Sequence, residues 1–142
     1  MIWPATYHGR LESWTDLRQR CLSLDQETAL ATIQNWWQRA PWRAYYLHWD
    51  DREQWPDPWQ LLADNQYCDI ARALGMLYTI KLLDRADCAD AAMVAADQGN
   101  LVLVSGGKYI MNWKADEVVN MASDKIKIQR TLESRILDRL IG

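Results

Sequence analysis

The chain has 142 residues, of which 49% are hydrophobic and 25% are charged, and its formal net charge is −3. This balance is typical of one globular domain with its own core and excludes a disordered chain. The acidic charge argues against a nucleic-acid-binding protein, which needs a concentrated basic face. The three cysteines, Cys21, Cys68 and Cys88, lack metal-ligand spacing, and their odd number does not suit a disulfide framework. No metal and no cofactor are expected.

The chain shows no pattern of a targeting or membrane-spanning segment. The opening residues MIWPATYHGR lack a basic stretch followed by an apolar run, so no signal peptide is predicted. No apolar run approaches the ~20 residues that cross a bilayer. We therefore expect a protein that is cytoplasmic at synthesis, keeps its cysteines reduced and has no membrane partner.

Tryptophan is the unusual component of the chain, which has nine Trp, six Tyr and no Phe. Eight of the nine tryptophans fall in the first 59 residues. Because the indole is large and its N–H needs a partner, tryptophan is seldom fully buried and is enriched at interfaces. The cluster therefore indicates either a tryptophan-rich core layer or a protein–protein contact. The candidate contact residues are Trp36, Trp37, Trp42, Trp55 and Trp59.

The first half of the chain predicts helices. Residues 13–24 suit a short helix, and a capping-box pattern of Ser23 and Gln26 begins a second one that Pro41 ends. The segment AYYLHWDD, residues 44–51, reads as extended and leads into a loop.

A second pair of helices follows that loop. Asp57 is the expected N-cap of a one- or two-turn helix with Pro58 in its first position. The longest helix is predicted from about Tyr67 to Leu83. Gly75 lies in its middle, which costs roughly 1 kcal/mol against alanine and marks a point of close packing.

After residue 88 the pattern changes to short apolar segments with turn residues between them. Residues 100–105 and 108–114 predict an antiparallel hairpin closed by the Ser-Gly-Gly turn. Residues 115–123 are expected to be helical, 125–128 to form a strand by alternation, and 131–142 to form a closing helix. This order predicts one α+β domain over 1–142. Its parts are a Trp-rich helical part (1–54), a cysteine helix with the sheet (55–130) and the closing helix (131–142).

The segment DPWQLLADNQYCDIARALG, residues 57–75, carries the clearest motif. It has the order Asp-x-Trp, Leu, polar turn, Cys, acidic residue and an Ala-rich helix ending in Leu-Gly. From about Trp55 to Trp113 the chain resembles the transglutaminase-like cysteine proteinases, which share the papain-like fold. The resemblance implies a central cysteine-bearing helix packed on a small antiparallel sheet. It also implies a base at the start of one hairpin strand and an orienting residue on the next strand.

The chain departs from that family at the two positions that support the nucleophile. The resemblance places the nucleophile at Cys68, the base at Asn100 and the orienting residue at Asn112. Asparagine has no usable basicity, and a cysteine nucleophile must give its proton to a base. Of the two histidines, His48 is the alternative base, in a chain order that convergent sites permit; otherwise it is a packed, hydrogen-bonded histidine.

These observations predict a non-catalytic, transglutaminase-like domain that works by binding proteins, as a structural or interaction subunit of a homo- or hetero-oligomeric assembly. The sequence also has the general look of small proteins of tailed bacteriophages, which implies a place in the neck, tail or baseplate of a virion. One alternative is an active cysteine peptidase or acyl-transferase that uses Cys68 and His48. Another is a peptide-binding regulator that uses the vestigial cleft as a groove. An acidic loop at residues 50–57 lacks the glycine and alternating ligands of calcium sites and is expected to be solvated.

Overall fold

The structure, a computed structural model, describes residues 3–44, 46–115, 117–120 and 126–142. Within these ranges it contains five α-helices, five strands and two short 3₁₀ helices at Trp49–Gln54 and Ala86–Cys88. The helices are α1 (Tyr7–Cys21), α2 (Gln26–Gln38), α3 (Pro58–Asp64), α4 (Asp69–Leu83) and α5 (Ser134–Ile141). The strands are β1 (Ala91–Ala96), β2 (Gly99–Val104), β3 (Tyr109–Lys114), β4 (Glu117–Asn120) and β5 (Ile128–Thr131).

The strands form one antiparallel sheet in the order β4-β3-β2-β1-β5. The predicted α+β class is therefore confirmed. The predicted hairpin is β2–β3, in which Leu103 pairs with Ile110. Its turn needs left-handed backbone at Ser105 (φ 57°) and at the two glycines that follow it, which glycine adopts without strain.

The prediction of a helix over residues 115–123 is wrong for its described middle part. Residues 117–120 form the edge strand β4, where Val119 pairs with Ile110 of β3. Two consecutive valines suit a pleated edge better than a helix, because branching at Cβ restricts valine in a helix. Residues 116 and 121–123 of that segment lie outside the described residues, as does residue 125 of the predicted strand 125–128. The last strand, β5, begins only at Ile128.

Local signals located the ends of the remaining helices to within six residues. Asp57 caps α3 by accepting a hydrogen bond from the N–H of Gln60 at 2.8 Å, and Pro58 opens that helix as expected. The helix α2 begins at Gln26 with Asp25 as N-cap, so the Ser23–Gln26 pattern does not form a capping box. The first helix begins at Tyr7, six residues before the predicted start, because Thr6 caps it.

The main core lies between the helices and one face of the sheet. The inner-face side chains Met93, Val102, Val104 and Met111 belong to the same cluster as the buried residues of α1, α2 and α4. Alternate residues point to the other face, where Val94, Leu101, Ile110, Val119 and Ile126 form a second cluster. Packing of α4 on β1, β2 and β3 fixes its N-terminus beside the β2–β3 hairpin.

Several tryptophans that were candidates for a surface contact lie in the core instead. Trp36, Trp37 and Trp55 are 2%, 1% and 3% exposed, so the expectation that they form a contact surface is wrong for this fold. Burial is possible because each indole N–H has an acceptor. Trp36 donates to Ser13 Oγ at 3.0 Å, and Trp55 donates to the carbonyl of His48 at 2.9 Å.

The hydroxyl group of Thr79 accepts hydrogen bonds from two of the buried indole N–H groups. Trp14 Nε1 of α1 and Trp37 Nε1 of α2 both donate to Thr79 Oγ1, each at 2.9 Å. Thr79 Oγ1 in turn donates to the carbonyl of Gly75 at 2.7 Å. This hydroxyl therefore uses its donor and both acceptor positions, and it joins three helices inside the core.

The prediction of close packing at Gly75 is confirmed. A Cβ added there would lie 2.6 Å from three ring atoms of Trp37. That ring cannot swing away easily, because its N–H is held by Thr79 and the ring is buried between α2 and α4. Only glycine allows the two helices to approach this closely.

We expect Gly75→Ala to lower the free energy of unfolding by about 1–3 kcal/mol through overpacking against Trp37. Alanine is otherwise about 1 kcal/mol better than glycine inside a helix, so a loss would isolate the steric effect. Urea unfolding followed by tryptophan fluorescence measures it. Gly9→Ala in the first turn of α1, where an added Cβ meets its neighbours at 3.0 and 3.3 Å, is the control and should cost less. A stabilised Gly75→Ala variant would contradict the packing argument.

Candidate functional site

The N-terminus of α4 meets the β2–β3 hairpin at a network of amide groups around Asp69. The backbone N–H and the side-chain Nδ2 of Asn100 donate to Asp69 Oδ2 at 3.0 and 2.8 Å. Asn112 Nδ2 donates to Asp69 Oδ1 at 3.0 Å and to the carbonyl of Asn100 at 2.8 Å. The two asparagines thus fix one carboxylate from two neighbouring strands.

Two further side chains support this network from outside. Trp49 Nε1 donates to Asn100 Oδ1 at 2.7 Å, which sets the orientation of that amide. Gln34 of α2 is fully buried and accepts from the N–H of Asn112 at 2.6 Å. The amide of Gln34 also donates to the carbonyls of Lys114 and Glu117 at 3.2 and 2.7 Å. Every member of this group is therefore held by at least one other element.

Asn112 reaches Asp69 because the strand is irregular at that point. Its backbone has φ 66°, in the left-handed region, and the register between β3 and β4 shifts between Ile110 and Lys114. Such a bulge leaves one N–H without a ladder partner, and Gln34 Oε1 takes it. Asparagine tolerates left-handed backbone better than most residues, so the position suits its type.

The structure brings Asn100 and Asn112 together as the resemblance implied, but their shared partner is Asp69 and not Cys68. Cys68 is the N-cap residue of α4, with extended backbone (φ −81°, ψ 179°) and no hydrogen bond from its side chain to the helix. Cys68 is 3% exposed. Asp69 was missed as a site residue, although the acidic residue after the cysteine in the motif was a signal for it.

A cavity of about 620 Å³ opens in front of the α4 N-terminus. Its described lining consists of Trp42, Ala44, Leu47, His48, Trp49, Cys68, Asp69, Ile70 and Asn100. The lining combines large apolar side chains with a few polar groups, as ligand-binding pockets do. Cys68, Asn100 and the alternative base His48 therefore line the cavity. Asn112 is not among the described lining residues, but it donates hydrogen bonds to Asp69 and to the carbonyl of Asn100, which are.

His48 does not have the packed, hydrogen-bonded environment that its apolar neighbours suggested. It is exposed, it lines the cavity, and its backbone carbonyl accepts from Trp55. Cys68 and His48 are both described, and no hydrogen bond joins the sulfur to the imidazole. The present arrangement thus has a histidine in the lining of the same cavity as the thiol, without a hydrogen bond between these two described residues.

The two exposed candidate tryptophans occupy different places. Trp42, 57% exposed, forms one wall of the cavity, and its indole face carries the guanidinium of Arg72 at 5.1 Å from the ring centroid. Trp59, 43% exposed, lies on α3 and is not among the lining residues of the cavity. Of these two tryptophans, only Trp42 lines the same cavity as Asp69.

The other cysteines and the acidic loop have structural explanations. Burial raises the pKa of Cys88 to about 11 and also raises the pKa of Cys21, so neither thiol is activated. In the loop, Asp50 pairs with Arg130 at 2.7 Å, and Asp57 caps α3. Among the residues that the structure describes, no group of three acidic, cysteine or histidine residues could hold a metal ion. None of the described helices is both long and apolar enough to span a bilayer.

None of the family models, curated proteins or solved structures with which the chain was compared matches it.

Replacement of Asn112 by alanine and by glycine should separate its two contributions to the site. Both variants lose the hydrogen bonds to Asp69 and Asn100, which we expect to cost about 1–3 kcal/mol of unfolding free energy. Glycine adopts φ 66° freely, so Asn112→Gly should be more stable than Asn112→Ala by about 1 kcal/mol. Thermal and urea unfolding measure both values. Equal stability of the two variants would show that the bulge has relaxed.

Proposed function

We propose that the chain is a non-catalytic, transglutaminase-like domain that acts as an interaction subunit of a protein assembly. In this proposal the partner binds at the cavity in front of α4, where Trp42 offers an exposed aromatic anchor. The observation that carries the proposal is the Asp69 network. The resemblance implies a base at Asn100 and an orienting residue at Asn112. Both asparagines instead donate side-chain N–H hydrogen bonds to the carboxylate of Asp69.

The amide network supports a fixed binding surface more than a catalytic centre. General base catalysis needs a group that gains and loses a proton within hydrogen-bond reach of the nucleophile. The asparagine amides do not titrate, and their hydrogen bonds to Asp69 hold both strands and the helix end in one arrangement. A rigid wall of this kind lowers the entropy cost of binding, because little must be ordered when the partner arrives.

The aromatic content of the wall supports a protein partner. Tryptophan is enriched among the residues that dominate protein–protein affinity, especially where it can fill or line a pocket. Trp42 is the exposed candidate that meets this condition, whereas Trp36, Trp37 and Trp55 serve the core. The cavity also has enough volume for one or two side chains of a partner.

We expect Trp42→Ser to release the chain from its assembly, because the substitution removes an exposed aromatic anchor without touching the core. Sedimentation or size-exclusion chromatography of a native lysate measures the particle that contains the chain. Trp59→Ser is the matched control, since it removes an exposed tryptophan outside the cavity and should leave the particle intact. A wild-type chain that is always monomeric in the lysate would overturn the proposal.

A narrower form of the proposal places the assembly in the neck, tail or baseplate of a tailed-bacteriophage virion. It rests on the general likeness of the sequence to small phage proteins and on the suitability of a tryptophan-rich interaction domain for such particles. Detection of the chain in purified particles, at a fixed number of copies per particle, would support this location.

A second function deserves a test because one observation favours it: Cys68 and His48 line the same cavity. If the segment that carries His48 moved toward α4, the imidazole would become the base of a cysteine peptidase or acyl-transferase. The base would then precede the nucleophile in the chain. The distinguishing property is the reactivity of the thiol, because the ion pair with an imidazole makes a cysteine nucleophilic at acidic pH.

Under the binding proposal, iodoacetamide at about pH 6 should modify Cys68 no faster than it modifies glutathione. Mass spectrometry of the alkylated peptides measures the rate for each cysteine, with buried Cys21 and Cys88 as internal slow references. Rapid alkylation of Cys68 that is lost in His48→Ala would instead identify the cysteine enzyme.

A further inference from the structure

The charge of Asp69, the acidic residue in the cavity lining, is compensated within the fold. Asp69 lies in the first turn of α4, where the helix N-terminus carries roughly +0.5 of an elementary charge. Three N–H groups of Asn100 and Asn112 donate to its carboxylate. Arg72 of the same helix attracts it as well: burial lowers the pKa of that guanidinium, and the charge of Asp69 opposes this effect. The carboxylate therefore has its partners before any ligand arrives.

Two of the three acidic residues in the neighbouring 3₁₀ helix Trp49–Gln54 are paired with arginines. The pairs are Asp50 with Arg130 at 2.7 Å, and Glu53 with Arg135 at 3.5 Å and Arg139 at 3.9 Å. Within the described lining of the cavity there is no lysine or arginine. A charged ligand would therefore find no unpaired lysine, arginine or carboxylate among the described lining residues.

The polar side chains of the lining are also engaged or exposed. Asn100 donates to Asp69 and accepts from Trp49 Nε1, so the N–H of that indole is used as well. Cys68 makes no side-chain hydrogen bond to its helix, and a buried thiol acts as a small apolar group. His48 is exposed, so its ring keeps its contact with water. The fold has thus already used most of the polar groups with which the cavity could recognise a polar ligand.

The surfaces that remain available to a ligand are apolar. Two indoles and three aliphatic side chains line the described cavity: Trp42, Trp49, Ala44, Leu47 and Ile70. Trp42 stays exposed even though the guanidinium of Arg72 stacks on its ring. A side chain that covers these walls removes apolar surface from water on both partners, which is favourable in proportion to the area covered.

We propose that the cavity binds a large, uncharged apolar side chain of the partner protein, packed against Trp42, Leu47 and Ile70. This inference rests on the proposed function and specifies which kind of side chain enters the same site. A charged side chain would cover these walls only by giving up water around its charge, and the described lining offers no unpaired opposite charge in exchange. An apolar side chain covers the same walls without that cost.

Capped tripeptides test the requirement for an uncharged side chain: acetyl-Gly-X-Gly-amide with X as norleucine, lysine, glutamate or glycine. Norleucine has the carbon chain of lysine without its ammonium group, and the glycine peptide measures the contribution of the backbone. The indole Nε1–H resonances of Trp42 and Trp49 in ¹⁵N-labelled protein report occupancy of the cavity, and Trp59, outside the lining, is the reference. We expect the norleucine peptide to bind roughly tenfold more tightly than the other three. Added salt should leave its affinity unchanged or raise it, because no charge is involved.

A matched pair of variants assigns the effect to the cavity wall. Ile70→Thr places a hydroxyl group in the lining and should weaken binding of the norleucine peptide severalfold. Ile128→Thr makes the same change at an exposed isoleucine of β5 outside the lining and should leave binding unchanged. Unshifted indole resonances of Trp14 and Trp37 verify that the core is retained. If Ile70→Thr does not fold, the norleucine-to-lysine ratio and its salt dependence in the unmodified chain decide the question alone.

Each outcome separates this inference from the proposed function. Equal or tighter binding of the lysine, glutamate or glycine peptide, or no binding of any peptide, would overturn the apolar ligand, while Trp42-dependent assembly would still stand. Preference for norleucine in a chain that never enters a larger particle would uphold the ligand chemistry and overturn the assembly.

Discussion

The carboxylate of Asp69 joins α4 to two neighbouring strands through hydrogen bonds from neutral amides. Hydrogen bonds to a charged group are worth about 1.5–3 kcal/mol each, so this one side chain holds the front of the helix to the hairpin. The bulge at Asn112, the hydrogen bond that Gln34 accepts there and the hydrogen bond from Trp49 to Asn100 all support that arrangement. The shape of the cavity depends on it as well, because its floor and one wall belong to the same network.

A second hydrogen-bonded group lies in the helical core, where Thr79 Oγ1 accepts hydrogen bonds from the indole N–H groups of Trp14 and Trp37. Thr79 and Gly75 fix how closely α2 approaches α4, and α2 also carries Gln34, which supports the bulge. The buried tryptophans and the candidate site are therefore connected through α2, which carries both Trp37 and Gln34. Much of the unusual tryptophan content serves this connected core, while Trp42 remains exposed at the mouth of the cavity.

Features that depend on a few adjacent residues could be predicted from the sequence. The β2–β3 hairpin, the cap at Asp57 and the close packing at Gly75 belong to this group. The burial of Trp36 and Trp37 could not be predicted, because their acceptors, Ser13 and Thr79, lie 23 and 42 residues away in the chain. The same limit applies to the site. The resemblance brought Asn100 and Asn112 together, but the choice of Asp69 over Cys68 as their partner is a matter of three-dimensional geometry.

The wall of the cavity near Trp49 has a consequence for the order in which the protein matures during translation. The 3₁₀ helix that begins at Trp49 is tied to the last part of the chain by the pairs Asp50–Arg130 and Arg52–Glu133. Ribosomes deliver these two anchors some 80 residues after the wall itself. A nascent chain can thus build its tryptophan core early and still lack both anchors of this cavity wall until synthesis has passed Glu133.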